Sequence, residues 1–200
     1  MMEVMIIDYG VGNLYSIAKG LERAGARVRV VSHPKSLLDA ECIVFPGVGA
    51  FGAAMNALRP VLPSLRKHIS KGTPALGICL GMQIMFEGSE ESPGEGLGLF
   101  DGEVKRLKTG RIPEMGWNDV THKGDALFEC IPEKAQFYFA NSFVCHPEED
   151  VSVAMTEYGE KFPSAIRKGN LYGVQFHPEK SGPAGLRLLR NFVNIAEGTA

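Results

Sequence analysis

Ala75-Leu76-Gly77-Ile78-Cys79-Leu80-Gly81-Met82-Gln83 holds, in nine residues, a short apolar run, a cysteine between glycines, and the start of a helical apolar pattern that continues to Phe86. An apolar run that ends in glycine and turns into a helix has the pattern of a buried parallel strand. Upstream segments repeat the event. Residues 4–7 form an apolar run closed by Asp8-Tyr9-Gly10-Val11-Gly12-Asn13, then Leu14, Ile17, Ala18, Leu21 and Ala24 recur at helical spacing until Gly25. Arg27–Val31 alternates basic residues with valine, and residues 42–45 stop at Pro46-Gly47-Val48-Gly49. A helical pattern follows from about Phe51 to Ile69, with interruptions predicted at Pro60 and Pro63. Strand–helix alternation of this kind predicts an α/β fold whose mostly parallel open sheet is flanked by helices.

Downstream the pattern changes. Residues 103–107, 136–143, 151–156, 164–167 and 171–176 read as strands joined by short turns, Lys168-Gly169-Asn170 among them. Leu186, Leu189, Phe192, Val193 and Ile195 mark a closing amphipathic helix. No linker or repeat divides the chain, so residues 1–200 are expected to be one domain with antiparallel strands added in the second half.

Composition narrows the function. Lys and Arg number 21 against 23 Asp and Glu, a formal charge of −2 that gives no basic footprint for nucleic acid. No apolar run approaches the roughly 18–20 residues that span a bilayer, and the acids near the start do not fit a signal peptide. Cys42, Cys79, Cys130 and Cys145 show neither a Cys-x-x-Cys pair nor zinc-like spacing, so no metal is expected and a reducing cytoplasm is.

In open α/β sheets ligands gather at the carboxyl ends of the strands. Residues 8–13, 46–49, 77–81 and 177–179 all follow predicted strands there. Gly77-Ile78-Cys79-Leu80-Gly81 is the thiol form of a nucleophile elbow, where glycines two residues either side relieve crowding on a strained turn. The turn sets the Cys79 sulfur at a helix N-terminus, which favours thiolate, and aims the Leu80 N–H at an oxyanion. Most free cysteines are simply small and buried, the reading adopted for Cys42, Cys130 and Cys145. In Gln175-Phe176-His177-Pro178-Glu179, strand alternation puts Gln175 and His177 on one side, Glu179 can return to orient the imidazole, and Pro178 marks a strand end. The rivals are weaker: His33 and His146 precede proline, His68 lies on a helix read as exposed, and His122 lies beside Lys123 in a polar turn. Pro46-Gly47-Val48-Gly49 lets backbone approach a ligand, with Val48 N–H or its neighbour Gly49 as second oxyanion donor; an ordinary turn or anion nest is the plainer alternative. Gly47, Gly49 and Gly52 match dinucleotide spacing, but Pro46 and the lack of an acidic ribose partner argue against that use.

Together, Gly77–Gln83, Pro46-Gly47-Val48-Gly49-Ala50-Phe51 and Gly173-Val174-Gln175-Phe176-His177-Pro178-Glu179 resemble the class I (triad) glutamine amidotransferases, a flavodoxin-like family. Ile7–Leu14, Pro113-Glu114-Met115-Gly116-Trp117-Asn118 and Lys180-Ser181 narrow the likeness, over nearly the whole chain, to the branch of glutaminase subunits of imidazole glycerol phosphate synthases. The resemblance implies hydrolysis of L-glutamine without a cofactor by a Cys79–His177–Glu179 triad. It also implies a heterodimer with a (β/α)8-barrel cyclase that uses the ammonia in histidine biosynthesis. By motif, Gly47, Gln83, Glu91 and Ser142 correspond to glutamine-binding positions; the plainer readings of Gln83 and Glu91 are a helix-surface amide and a solvated acid. Asn13, Trp117, Tyr138 and Lys180 fall at candidate interface positions, with a core tryptophan and a solvated lysine as the alternatives. Relatives usually show His-Ser/Thr-Tyr where this chain has Asn141-Ser142-Phe143, a departure that keeps Ser142 and bears on the substrate contacts of the side chains at 141 and 143. A subunit of another amidotransferase, a γ-glutamyl hydrolase of the same fold, and a non-enzymatic binding or redox-sensing module remain as rivals.

Overall fold

In β1 (Glu3–Ile7) every residue after Glu3 is buried. Alternation sends Val4 and Ile6 into one core and Met5 and Ile7 into another. A strand apolar on both sides requires cover on both sides. The chain continues through α1 (Leu14–Ala24), β2 (Arg27–Val31), β3 (Ile43–Phe45), α2 (Phe51–Leu58), α3 (Leu62–Ser70), β4 (Ala75–Ile78) and the single-turn α4 (Leu80–Gln83). Then come β5 (Gly88–Ser89), β6 (Ser92–Glu95), β7 (Gly102–Arg106), β8 (Glu114–His122), β9 (Lys134–Asn141) and β10 (Phe143–Pro147). β11 (Ser152–Tyr158), β12 (Glu160–Lys168), β13 (Leu171–Val174) and α5 (Gly182–Glu197) complete it. The computed structural model describes residues 1–10, 14–109 and 111–198.

Among the described residues the strands form two sheets, β2-β1-β3-β4-β13-β12-β11-β8-β9 and β10-β7-β5-β6. β2, β1, β3, β4 and β13 run parallel. β12, β11, β8 and β9 extend the sheet antiparallel, as the change of pattern in the second half implied. α1 and α5 cover one face with Ile17, Leu21, Leu188 and Phe192; α2 and α3 cover the other with Phe51, Leu58, Leu65 and Ile69. Because the first five strands are parallel, the segments after β1, β3, β4 and β13 leave by the same sheet edge, which is where a ligand cleft forms. Among the described residues no helix is long and apolar enough to cross a membrane.

Several local readings change. The 51–69 pattern breaks at a 3-10 turn, Arg59–Val61, that holds Pro60; Pro63 instead sits in the first turn of α3, where its missing N–H costs little. The 82–86 stretch is not a continuous helix: α4 stops at Gln83, and Phe86 packs on Phe100 with ring centroids 5.7 Å apart. The predicted 136–143 strand splits at Ser142, whose carbonyl accepts from the Leu107 N–H at 3.0 Å while the chain passes from the large sheet to the small one. β13 stops at Val174, short of Phe176. β8 was not anticipated, because Gly116, Asn118 and Asp119 are poor strand formers; pairing with β9 along its length makes the strand. His122 is not in a polar turn but buried at the end of β8, stacked on Phe128 with its Nε2 2.9 Å from the Pro132 carbonyl. His68 is half-buried, its Nε2 2.9 Å from the Ala40 carbonyl. Cys130, read as buried, is exposed in a turn at φ 58°.

Candidate active site

Cys79 joins β4 to α4 at φ 48° and ψ −106°, a region that residues with a side chain rarely occupy. The two flanking glycines make the turn possible for separate reasons. A Cβ on Gly77 would lie 2.5 Å from the Gly81 carbonyl carbon, as crowding across the elbow requires. A Cβ on Gly81 would instead drive into the Phe45 carbonyl at the end of β3. The Cys79 N–H donates to the Val174 carbonyl at 2.7 Å, tying the elbow to β13.

β13 delivers His177. Its N–H donates to the Tyr138 carbonyl at 2.8 Å, while Ser181 Oγ donates to the His177 carbonyl at 2.6 Å and accepts from the Tyr138 N–H at 3.0 Å. β9 and Ser181 thus clamp the His177 backbone. Glu179 returns to the imidazole through a 3-10 turn, Pro178–Lys180, rather than by strand alternation, and Pro178 opens that turn rather than closing a strand. Nδ1 of His177 lies 2.8 Å from Glu179 Oε1, with the two side chains only 2% and 7% exposed. Burial opposes charge on this imidazole, but the hydrogen bonds it donates to Cys79 and Glu179, and the charge of both, outweigh it and raise the His177 pKa to about 10. The site therefore favours a charged imidazole beside the Cys79 sulfur. Cys42, by contrast, is buried without such a partner, and its thiol is pushed up to about 12; Cys145 is likewise buried and raised, with Cys79 a lesser contributor.

The Pro46–Gly49 loop packs against both reactive groups. A Cβ on Gly47 would lie 3.0 Å from His177 Cε1 and 3.1 Å from Cys79 Cβ. A cavity of about 340 Å3 opens here, within the usual size of a small-molecule site, and Gly47, Val48, Gly49, Cys79, Leu80, Gln83, Glu91, Ser142 and His177 all line it. Larger recesses, between Asn118 and Lys161 and between Tyr15 and Leu189, include neither Cys79 nor His177 in their lining. Gln83 is buried rather than on a helix surface; its Nε2 donates to the Phe143 carbonyl at 3.0 Å and to Gln175 Oε1 at 3.3 Å. Glu91 is not merely solvated: its Oε2 accepts from the Phe51 N–H at 2.7 Å, capping α2 where Ala50 offers no side-chain cap. Asn141 reaches the same Phe143 carbonyl at 3.3 Å, so the departure at this position contributes to the wall of the cavity.

Trp117 and Tyr138 are directly opposite in the β8–β9 register, edge-to-face at 6.2 Å, and Lys180 Nζ lies 5.7 Å from the Tyr138 ring centroid. Trp117 is 54% exposed, which excludes the core reading. Asn13, the fourth interface candidate, lies outside the described residues. Gln175 and Ser181 were given no role from sequence. Alternation already put Gln175 on the His177 side, a signal that could have found it; Ser181 acts through a fold-dependent contact with β9.

The family model for glutamine amidotransferase class-I matches residues 5–196. The chain is 48% identical over 196 residues to the imidazole glycerol phosphate synthase subunit HisH of Thermococcus kodakarensis, covering 94% of this chain and 98% of that relative. It is 47% identical to the protein of the same name from Methanocaldococcus jannaschii, covering 95% and 98%. The fold is similar to that of PurLQS from Thermotoga maritima, with a TM-score of 0.79, 19% identity and coverage of 98% of this chain and 99% of that one. A second solved structure, a glutamine amidotransferase, gives a TM-score of 0.75 at 20% identity, covering 96% and 98%. With its elbow cysteine, its histidine–glutamate pair and this match along nearly its whole length, the chain belongs to the glutamine amidotransferase class-I family.

Proposed function

We propose that the chain, acting as one domain in the cytoplasm, is the glutaminase subunit of an imidazole glycerol phosphate synthase, and that it takes ammonia from L-glutamine for a partner cyclase in histidine biosynthesis. The observation that carries the chemistry is the buried Cys79–His177–Glu179 arrangement at the floor of a cavity. The names of the curated relatives support the pathway.

Cys79 Sγ attacks the side-chain amide carbon of glutamine, its proton residing on His177. The carbonyl electron pair moves to oxygen, and the oxyanion accepts hydrogen bonds from the N–H groups of Leu80 and of Val48 or Gly49; one such donor is typically worth about 3–4 kcal/mol. Leu80 begins α4, so its N–H is one that the helix itself leaves unpaired. As the tetrahedral species collapses, His177 gives its proton to the amine, the C–N bond breaks and ammonia leaves. Water then attacks the glutamyl thioester, His177 takes a proton from it, and the C–S bond breaks, releasing glutamate and returning the electron pair to the Cys79 sulfur. Glu179 holds the imidazole in the tautomer this cycle needs and stabilises its charged form. Gln83, Glu91 and Ser142 surround the amino-acid end of the substrate, and Gly47 lies beside its reacting end.

The exposed Trp117, packed on Tyr138 and neighboured by Lys180, fits an aromatic anchor for a (β/α)8-barrel cyclase. Co-purification with such a cyclase followed by a glutamine-dependent cyclase assay tests the assignment, with glutaminase activity expected to be low for the isolated chain and raised by the liganded partner. Glutamine hydrolysis without ammonia transfer would favour a γ-glutamyl hydrolase or a subunit of another amidotransferase. No labelling of Cys79 by a glutamine-analogue electrophile would leave a binding module.

A further inference from the structure

Gln175 is fully buried, and its side-chain Nε2 lies 3.4 Å from the Cys79 sulfur. A glutamine amide can present either its N–H2 or its carbonyl, and the two have opposite consequences for a sulfur anion. The surroundings leave one choice. The chain of contacts ends on the backbone carbonyl of Phe143, which can only accept. Gln83 must therefore turn its N–H2 to Phe143, at 3.0 Å, and the same nitrogen reaches Gln175 Oε1 at 3.3 Å. Turning Gln175 over would set two donors against each other at Gln83, and turning Gln83 as well would set two acceptors against each other at Phe143. With its oxygen committed to Gln83, Gln175 has only N–H left for Cys79. The second donor to Phe143, Asn141 Nδ2 at 3.3 Å, reinforces the end of the chain.

We propose that Gln175 is a further catalytic residue, an N–H donor that holds the Cys79 sulfur as thiolate and as thioester leaving group, with its orientation locked by Gln83 and the Phe143 carbonyl. The proposal rests on Cys79 being the nucleophile. An N–H···S bond is stronger to an anion than to a neutral thiol, so it favours thiolate before attack and again when the thioester breaks. It works alongside His177: one partner carries the proton and the other donates a hydrogen bond to the charged sulfur without exchanging a proton. The titratable groups around the sulfur are His177, backed by Glu179, and the buried Cys145; Gln175 adds a donor that does not titrate.

The test is the rate at which iodoacetamide alkylates Cys79 across pH, resolved from Cys130 by peptide mass spectrometry, in the full-length chain. Gln175→Met keeps the volume and removes the donor. Alkylation near neutral pH is expected to fall about tenfold and to recover at high pH, where the thiol ionises unaided. Gln83→Met leaves Gln175 in place but frees its amide to rotate, and a smaller fall of the same form is expected. Circular dichroism identifies the variants that fold, and either one suffices. A folded variant that keeps the wild-type rate–pH curve would overturn the proposal. Wild-type Cys79 reacting no faster than the exposed Cys130 would instead sink the nucleophile assignment beneath it.

Discussion

The parallel and antiparallel halves of the large sheet treat their side chains in opposite ways. At the carboxyl edge of β3, β4 and β13, backbone approaches so closely that Gly47, Gly77 and Gly81 admit no side chain without displacing a neighbour. In the antiparallel half, β8 and β9 bury Val120, Phe137 and Phe139 on one face while β8 leaves Met115 and Trp117 in solvent. A nucleophile and its base must be held to within a fraction of an ångström, so that edge is built from backbone that cannot adjust. A docking surface needs exposed apolar area on a firm support, which a half-covered antiparallel sheet supplies. The halves meet at His177, whose side chain serves the first and whose backbone N–H donates to Tyr138 of the second, with Ser181 bridging the two.

Substitutions should divide along the same line. Cys79→Ser should lower glutamine turnover by roughly 10⁵-fold with the fold intact, as seen by steady-state kinetics beside circular dichroism; substantial remaining turnover would place the nucleophile elsewhere. Glu179→Gln should cost about 10³-fold in kcat, less than loss of the nucleophile. It should also lower the His177 pKa, followed by NMR titration of the imidazole, because the charge that holds the proton is lost and a neutral amide oxygen accepts a weaker hydrogen bond. The sign for stability follows. His177 is raised from 6.5 to about 10 on folding, so the stabilisation is fully present below pH 6.5 and is lost as pH climbs towards 10. Denaturation across that window should show the wild type losing more stability with rising pH than Glu179→Gln.

Gly81→Ala should act on the rigid edge without touching a reacting group. Its added methyl meets the Phe45 carbonyl, and roughly 3 kcal/mol of stability should be lost, read from urea unfolding. A neutral result would mean the edge is softer than the comparison supposes. The smallest effect belongs to the other half. Trp117→Ala should weaken association with the barrel cyclase by about 30-fold while changing the stability of the isolated chain by under about 0.5 kcal/mol, measured by titration calorimetry and thermal melts. Equal loss of stability and association would make Trp117 a structural residue after all.

The sequence alone placed the strands and the elbow of the parallel half because their signals are local. An apolar run, a glycine at a turn and a helical repeat each lie within a few residues, and the backbone responds to them directly. The Gly-x-Cys-x-Gly spacing and the two-residue step from His177 to Glu179 were legible for that reason, even though a 3-10 turn rather than a strand performs the second. Tertiary structure decided what depends on distant partners. β8 exists because β9 pairs with its glycine, asparagine and aspartate; the 136–143 strand divides because Ser142 crosses between sheets. Trp117 is exposed because the described residues leave its face of β8 in solvent, and Gln175 aims its nitrogen at sulfur only because Gln83 and the Phe143 carbonyl, 92 and 32 residues away along the chain, fix its other end. Local chemistry is written in neighbouring residues, whereas orientation and exposure depend on groups that only folding brings together.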